Sequence, residues 1–179
     1  MKNNFPEGSF AAWYGEDLSG QTYEGDLVCS SQNLTSLFGC PSVVIGRFSC
    51  CNNKLKTLEG APEKVGGFFD CSYNKLTTLE NAPKEVGRYF YCSNNYLTSL
   101  EGAPEKVEEG FYCNDNKLVT LEGAPKEVGR YFDCSHNKLT SLEGAPEKVG
   151  GGFDCSYNPD LESLDGIGKV KDEIYSNID

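Results

Sequence analysis

Residues 86–104 read VGRYFYCSNNYLTSLEGAP, and residues 107–125 read VEEGFYCNDNKLVTLEGAP, so the same pattern returns after 21 positions. Several columns of the sequence keep this interval along most of the chain. The cysteine column comprises Cys29, Cys50, Cys71, Cys92, Cys113, Cys134 and Cys155, and the phenylalanine column comprises Phe48, Phe69, Phe90, Phe111, Phe132 and Phe153. So many columns with one period identify a solenoid, in which each unit buries its apolar face against its neighbours.

The residues of one unit predict its local structure. In F-x-C, side chains alternate along a short strand, so Phe and Cys point inward together. The Asn that follows satisfies backbone groups at the bend and forms a ladder between units. The E-G-A-P stretch is too short and too rich in Gly and Pro for a helix. We therefore predict a repeat solenoid with a parallel β-sheet on its concave face and a mostly irregular, helix-poor convex side.

The stretch F-x-C-S-x-N-x-L-x-x-L, as in residues 90–100, resembles the leucine-rich repeat, with Phe and Cys in the first two apolar slots. Together with the trailing A-P-x-x-V, the units are most similar to the short bacterial and phage-encoded leucine-rich repeats, including those of type III secretion effectors. The resemblance covers roughly residues 22–179. The chain departs from it by one extra residue between the Val and Phe columns, and by Ala-Pro where the effectors have Leu-Pro. The resemblance implies a host protein as partner, such as an enzyme of bacterial defence that is thereby inhibited.

Both ends of the chain break the repeat. Residues 1–21 contain Trp13 beside Tyr14 and Phe10, and we interpret them as an N-terminal cap over the first unit. Residues 22–168 hold seven units of 21 residues, and residues 169–179 form a C-terminal partial unit. In that partial unit Val170 and Ile174 match the Val and Phe columns.

Charge and composition restrict the function. The net charge is −11, from 16 Lys and Arg against 27 Asp and Glu, which is unsuited to binding a nucleic-acid backbone. The apolar runs are too short for a membrane span, and no secretory signal is recognised at the N-terminus. A regular cysteine column gives each thiol two equivalent neighbours, so we expect reduced thiols and a cytoplasmic location, in a host cell if the protein is phage- or effector-derived.

Catalytic chemistry has no matched acid, base or nucleophile in this sequence. The only histidine is His136, in a variable outward position, and seven of the nine cysteines belong to the core column. The other two, Cys40 and Cys51, have no catalytic partner in sequence. No Gly-rich loop leads from a strand into a helix, and no C-x-x-C pair offers a zinc site. Asp133 and Asp154 adjoin in an outward row and leave a weak cation site as a minor alternative. We predict a protein that is not an enzyme and has no cofactor and no bound metal.

Two charge patterns follow the repeat. Glu and Lys alternate at positions 63, 84, 105, 126 and 147, and their neighbours at 64, 85, 106, 127 and 148 alternate in the opposite sense. We expect opposite charges to meet between adjacent units, which avoids a stack of like charges. In contrast, Glu59, Glu80, Glu101, Glu122 and Glu143 form a column of one sign, for which the repeat offers no structural reason.

The outward face of the predicted sheet carries the aromatic residues that the core does not need. Eight of the ten Tyr fall in outward columns, whereas six of the ten Phe point inward, so we expect exposed rings that bind a partner protein. The candidate contact residues are Phe68, Asp70, Tyr73, Arg88, Tyr89, Tyr91, Tyr112, Arg130, Tyr131, Asp133, His136, Asp154 and Tyr157. Two alternatives remain open: an acidic decoy that mimics nucleic acid and blocks a basic groove, and a purely structural repeat protein.

Overall fold

The computed structural model describes residues 5–178 and shows a β-solenoid of stacked turns. Each turn contributes two short strands. The strands at the Phe column are β2 Leu27–Val28, β4 Phe48–Ser49, β6 Phe69–Asp70, β8 Phe90–Tyr91, β10 Phe111–Tyr112, β12 Phe132–Asp133, β14 Phe153–Asp154 and β16 Ile174–Tyr175. They form one parallel eight-stranded sheet in chain order. The predicted solenoid with a parallel sheet and little helix is confirmed.

The phenylalanine and cysteine columns lie in the core, as predicted. Phe69, Phe90 and Phe111 have no solvent exposure, and their ring centroids follow one another at 5.2 and 5.1 Å. The cysteines form an equally buried column beside them, and the Cys92 thiol donates to the carbonyl oxygen of Tyr112 in the next turn at 3.4 Å. The two Leu columns fill the core from the opposite side, which gives one continuous apolar interior.

The predicted asparagine ladder is present, and Asn95 shows its geometry. Its Nδ2 donates to the carbonyl oxygens of Cys71 in the preceding turn and Cys92 in its own turn, both at 3.1 Å. Its Oδ1 accepts from the backbone N–H of Leu76 at 3.0 Å. One side chain therefore satisfies buried backbone groups in two turns, which is why the column repeats Asn. In the first turn Gln32 takes the place of this Asn, and its backbone N–H donates to Oδ1 of Asn53 in the next turn.

The outer wall is more regular than predicted, because the Val column also forms strands. These strands are β1 Thr22–Tyr23, β3 Val43–Val44, β5 Lys64–Val65, β7 Glu85–Val86, β9 Lys106–Val107, β11 Glu127–Val128, β13 Lys148–Val149 and β15 Lys169–Val170. They make two parallel four-stranded sheets. One consists of β1, β3, β5 and β7, and the other consists of β9, β11, β13 and β15. The inward Val and the outward charged residue alternate along each central strand, so even two residues suffice to pair.

The two outer sheets separate where Glu108 enters a column of glycines. At Gly87 and Gly129 an added Cβ would lie 2.1 and 1.9 Å from a carbonyl oxygen of the preceding turn. Backbones approach that closely only without a side chain. Glu108 brings a Cβ to this position in the centre of the solenoid, and the ladder is interrupted between β7 and β9. Ile45 and Lys171 occupy the same column in outer turns and keep their ladder bonds.

Of the three aromatic residues at positions 10–14 of the N-terminal segment, only one is fully buried. Helix α1, Phe10–Tyr14, begins after Ser9, whose Oγ accepts from the N–H of Ala12. Phe10 is fully buried, whereas Trp13 and Tyr14 remain 39% exposed. Within residues 5–178, no helix is long or apolar enough to span a membrane. Of the segments assigned from sequence, residues 1–4 of the cap and residue 179 of the partial unit lie outside the described residues.

The alternating charges meet as expected in part of the wall. Lys64 forms an ion pair with Glu85 at 2.5 Å, and Glu127 lies in register between Lys106 and Lys148. The alternation fails at the last pair of turns, where Lys148 lies opposite Lys169. Lys106 pairs within its own turn with Glu108 at 3.0 Å, because Glu108 replaces glycine there.

Candidate interaction surface

Six aromatic side chains form one continuous array on the outward side of the eight-stranded sheet, which we call the tyrosine face. Its members are Phe68, Tyr89, Tyr91, Tyr112, Tyr131 and Tyr175. The Tyr91 and Tyr112 rings stack at 4.9 Å between centroids, and the distances along the array range from 4.9 to 6.4 Å. Register explains the contacts, since residues of one row repeat at the strand spacing of about 4.8 Å.

The rings of the tyrosine face are less exposed than predicted. Tyr89, Tyr91, Tyr112 and Tyr131 are half-buried, because each ring covers part of its neighbours. Of the eight tyrosines expected to be exposed, only Tyr73, Tyr96, Tyr157 and Tyr175 are so, with 45–61% of their surface accessible. The mutual stacking fixes the ring positions, so the array presents a preorganised surface.

Three aspartates adjoin the array, and each closes a turn after its strand. Asp133 Oδ1 accepts from the N–H and the hydroxyl of Ser135 at 3.0 and 2.6 Å. Asp70 and Asp154 accept in the same way from the backbone N–H groups of the Ser two residues on. The second carboxylate oxygen of Asp154 accepts from the Tyr131 hydroxyl at 3.3 Å. These bonds explain an acidic residue at each strand end.

Asp133 and Asp154 lie directly opposite each other in the register of β12 and β14. Burial beside the rings raises the pKa of Asp133, and the negative charges of Asp154 and Asp115 add to the increase, although the bonds from Ser135 oppose it. Burial and the negative charges of Asp154 and Asp133 also raise the pKa of the Tyr131 hydroxyl. The surface therefore holds partly desolvated negative charge, which is costly without a cation.

We expect Asp133→Asn to raise the melting temperature at neutral pH. A carboxyl with a raised pKa in the folded state binds its proton more tightly there than in the unfolded chain, so its ionisation above that pKa costs stability. Asn keeps the acceptor for Ser135 and removes the charge. The gain should vanish as the pH falls below the ordinary carboxyl range, where wild type is neutral as well.

Thermal melts of both proteins between pH 3 and 7 measure this difference. Glu122→Gln, which removes an exposed carboxylate elsewhere, is the matched control and should change the melting temperature little. A variant less stable than wild type at neutral pH would show that the charge of Asp133 is compensated in the fold.

The two arginines predicted to contact a partner are held by an acidic residue that the sequence analysis did not single out. Glu109 lies between Arg88 and Arg130 in successive turns, with its carboxylate 2.7 Å from Arg130 Nε and 3.8 Å from Arg88 Nη2. The Glu109 side chain is only 18% exposed, whereas both arginines are more than 60% exposed. Their common column at the 21-residue interval was the available signal. Arg88 and Arg130 are thus partly neutralised neighbours of the tyrosine face.

A second group of predicted contact residues lies past the strand ends, in a backbone conformation that disfavours them. Tyr73, His136 and Tyr157 have φ of 56°, 54° and 55°, in the left-handed region. Asn52, Asn94 and Asp115 fill the same column with residue types that tolerate this region. The rings of His136 and Tyr157 stack at 4.2 Å. Bulky side chains at a strained position mark a surface selected for something other than stability.

We expect Tyr73→Asn to stabilise the fold by about 0.5–1 kcal/mol, because Asn adopts the left-handed conformation at lower cost. The Tyr73 ring is 60% exposed, so its removal loses little packing. Urea unfolding should show a higher midpoint at an unchanged slope. The reverse change in the same column, Asn52→Tyr, should lower the midpoint by a similar amount, and two changes of the same sign would contradict the strain argument.

The buried cysteines have thiols of low reactivity. Burial raises the pKa of every core thiol, to about 12 at Cys29 and about 11 at Cys155. Thiols of that kind remain protonated and behave as small apolar groups. Among residues 5–178, no three His, Cys, Asp or Glu side chains converge as ligands for a metal ion.

Comparison of the chain with known protein families, with curated proteins and with solved structures found no match.

Proposed function

We propose that this protein is a non-catalytic scaffold that binds a partner protein through the tyrosine face and its adjoining aspartates. The observation that carries the proposal is the continuous array of six aromatic rings in stacked, tilted and edge contacts, because a sheet face exposed only to water needs no such array. Tyrosine combines a large apolar area with a polar tip and dominates the energetics of protein interfaces. A scaffold whose turns interlock through backbone and Asn hydrogen bonds holds that array in place at little entropic cost on binding.

The finer identity of the repeat belongs to the same proposal. The order of strand, Asn and two Leu in each turn supports a leucine-rich repeat of the short bacterial or phage type, similar to the repeats of type III secretion effectors. On that basis the partner is a host or defence protein whose action the binding inhibits. The column of protonated, unpaired thiols supports a reducing compartment, and we propose the cytoplasm.

One further observation favours the second candidate, an acidic decoy that blocks a basic groove. The side chains of Glu59, Glu80, Glu101, Glu122 and Glu143 are all exposed in a single column. Such a row of carboxylates at the strand spacing resembles the charge spacing of a nucleic-acid strand, which carries one charge per 3.4 Å. The two candidates use different surfaces, so mutations separate them.

The replacement of Tyr91 and Tyr112 together by Ala tests the proposed function. We expect affinity for the partner to fall by more than about 2 kcal/mol, or about 30-fold, because the change removes the centre of the array. The fold should persist with a modest decrease in melting temperature, since both rings lie outside the core. Capture from extracts of the native cell, followed by titration of the captured protein, provides the measurement.

The double variant Tyr14→Ala/Tyr96→Ala is the matched control, because it removes two exposed tyrosines that are not part of the tyrosine face. It should retain the partner. Equal retention by both double variants would refute the assignment of the surface. Loss of the partner on neutralising the glutamate column instead would favour the decoy.

A further inference from the structure

The aspartates that adjoin the tyrosine face are not balanced by cations. They are Asp70, Asp133 and Asp154, and none of them has an ion-pair partner within residues 5–178. Asp115, past the strand end of β10, adds a fourth carboxylate, which is exposed, whereas the other three are half-buried. An anionic partner would meet uncompensated repulsion here, which excludes nucleic acid and acidic peptides as preferred ligands.

The cations near this face are already engaged. Arg47 pairs with Asp26 at 3.2 Å and lies over the ring of Phe68 at 5.7 Å. Arg88 and Arg130 share the carboxylate of Glu109. The contact of Arg47 with Phe68 is an example, within this chain, of a guanidinium packed over a ring at the end of the array.

The carboxylates of Asp133 and Asp154 lie side by side, although like charges directly opposite each other destabilise a sheet. Asp133 Oδ2 accepts no hydrogen bond within residues 5–178, whereas Asp154 Oδ2 accepts only the Tyr131 hydroxyl. Tyr112 and Tyr175 flank this pair in the strand register, and the Tyr131 ring lies between them, with centroids 6.0 and 6.4 Å from theirs. Carboxylate oxygens that can accept further hydrogen bonds therefore lie next to aromatic rings.

We propose that the segment bound by the tyrosine face is an extended, arginine-rich stretch of the partner, a specification that rests on the proposed function. A guanidinium stacks on aromatic faces and donates in pairs to carboxylates, so one side chain type satisfies both features of the surface. The array runs from β6 to β16, five strand spacings or about 24 Å, which matches about seven extended residues. Binding gives Asp133 and Asp154 the cationic partners that they lack in the free protein.

The test uses a fluorescein-labelled peptide of five Arg-Ser repeats, measured by fluorescence anisotropy at low and physiological salt. The same peptide with citrulline in place of Arg keeps the shape and removes the charge. We expect the Arg peptide to bind wild type at least tenfold more tightly than the citrulline peptide. Asp133→Asn/Asp154→Asn should weaken the binding of the Arg peptide at least tenfold.

The variant Glu122→Gln/Glu143→Gln controls for net charge, because it neutralises two exposed carboxylates of adjacent turns outside the tyrosine face. It should change the affinity less than twofold. An equal loss in both charge variants would show general attraction to an acidic protein and would overturn the inference. Equal binding of the Arg and citrulline peptides, or no binding of either, would overturn it as well.

The outcome separates this inference from the proposed function. Suppose that the Tyr91→Ala/Tyr112→Ala variant loses the captured partner while wild type does not bind the Arg peptide. The proposed binding function is then supported, and the inference of an arginine-rich segment is wrong. If that variant keeps the partner, the proposed function fails, and the inference fails with it.

Discussion

We expect Cys92→Asp to abolish the fold. The side chain lies in the central turn with no solvent exposure, and burial raises the pKa of the native thiol far above its ordinary value. A carboxylate at this site would face the same desolvation without a counterion, which costs several kcal/mol even after the structure relaxes. Total stability of a domain of this size is only about 5–15 kcal/mol. Circular dichroism should show no cooperative thermal transition for the variant.

Cys51→Asp is the matched control, because Cys51 follows a core cysteine in sequence and is half-exposed on the outward side. Ser occupies the same column in other turns, at Ser72 and Ser93, which shows that the position accepts a polar group. The control should melt within a few degrees of wild type. A folded Cys92→Asp protein would mean that the cysteine column does not form the core on which the solenoid depends.

The arrangement of the core could be predicted from sequence because it follows from the repeat period. Once Phe90 and Phe111 are 21 residues apart, stacking of identical turns places one ring on the next, and the alternation in F-x-C puts the thiol on the same side. The ladder at Asn95 follows in the same way, from a polar side chain repeated at a buried bend. These features repeat in every turn, so each turn confirms the others.

The surface could be predicted only in its columns, because its contacts differ from turn to turn. The rows of Tyr91 and Tyr112 are readable in the sequence, but their half-burial depends on ring orientation, which no spacing gives. The column of Arg88, Glu109 and Arg130 is readable in the sequence as well, but the lengths of their ion pairs are not. The break in the outer ladder beside Glu108 occurs only once, so no periodicity reveals it.

The strained backbone at Tyr73 and Tyr157 was equally hidden. In most turns the column holds Asn, Asp or His, and its variation from turn to turn indicates contact residues rather than a positive φ. The positive φ becomes visible when the bend is seen to be the same in every turn, whichever residue fills it. The repeat thus imposes a left-handed backbone on residue types that disfavour it. Such residues, here Tyr73 and Tyr157, indicate positions selected for something other than stability.

Asn95→Ala should lower the free energy of unfolding by about 2–4 kcal/mol. The change leaves the buried N–H of Leu76 without its acceptor and takes a donor from the carbonyls of Cys71 and Cys92. Each buried polar group left unsatisfied costs about 1–3 kcal/mol, and the residue lies too deep for water to replace the amide fully. Urea unfolding followed by circular dichroism measures the loss.

Asn94 provides the control, since the same residue type precedes Asn95 on the outward side with φ of 57°. Asn94→Gly suits that backbone and removes no ladder bond, so stability should change by less than about 0.5 kcal/mol. Because each turn is stabilised mainly by its neighbours, the loss at Asn95 should also weaken the coupling between the two halves of the solenoid. Relative to wild type, hydrogen exchange should then accelerate more at the amides of the adjacent turns, at Leu76 and Leu97, than at amides near either end. Similar effects of the two Asn substitutions would show that the ladder adds nothing beyond the stacked core.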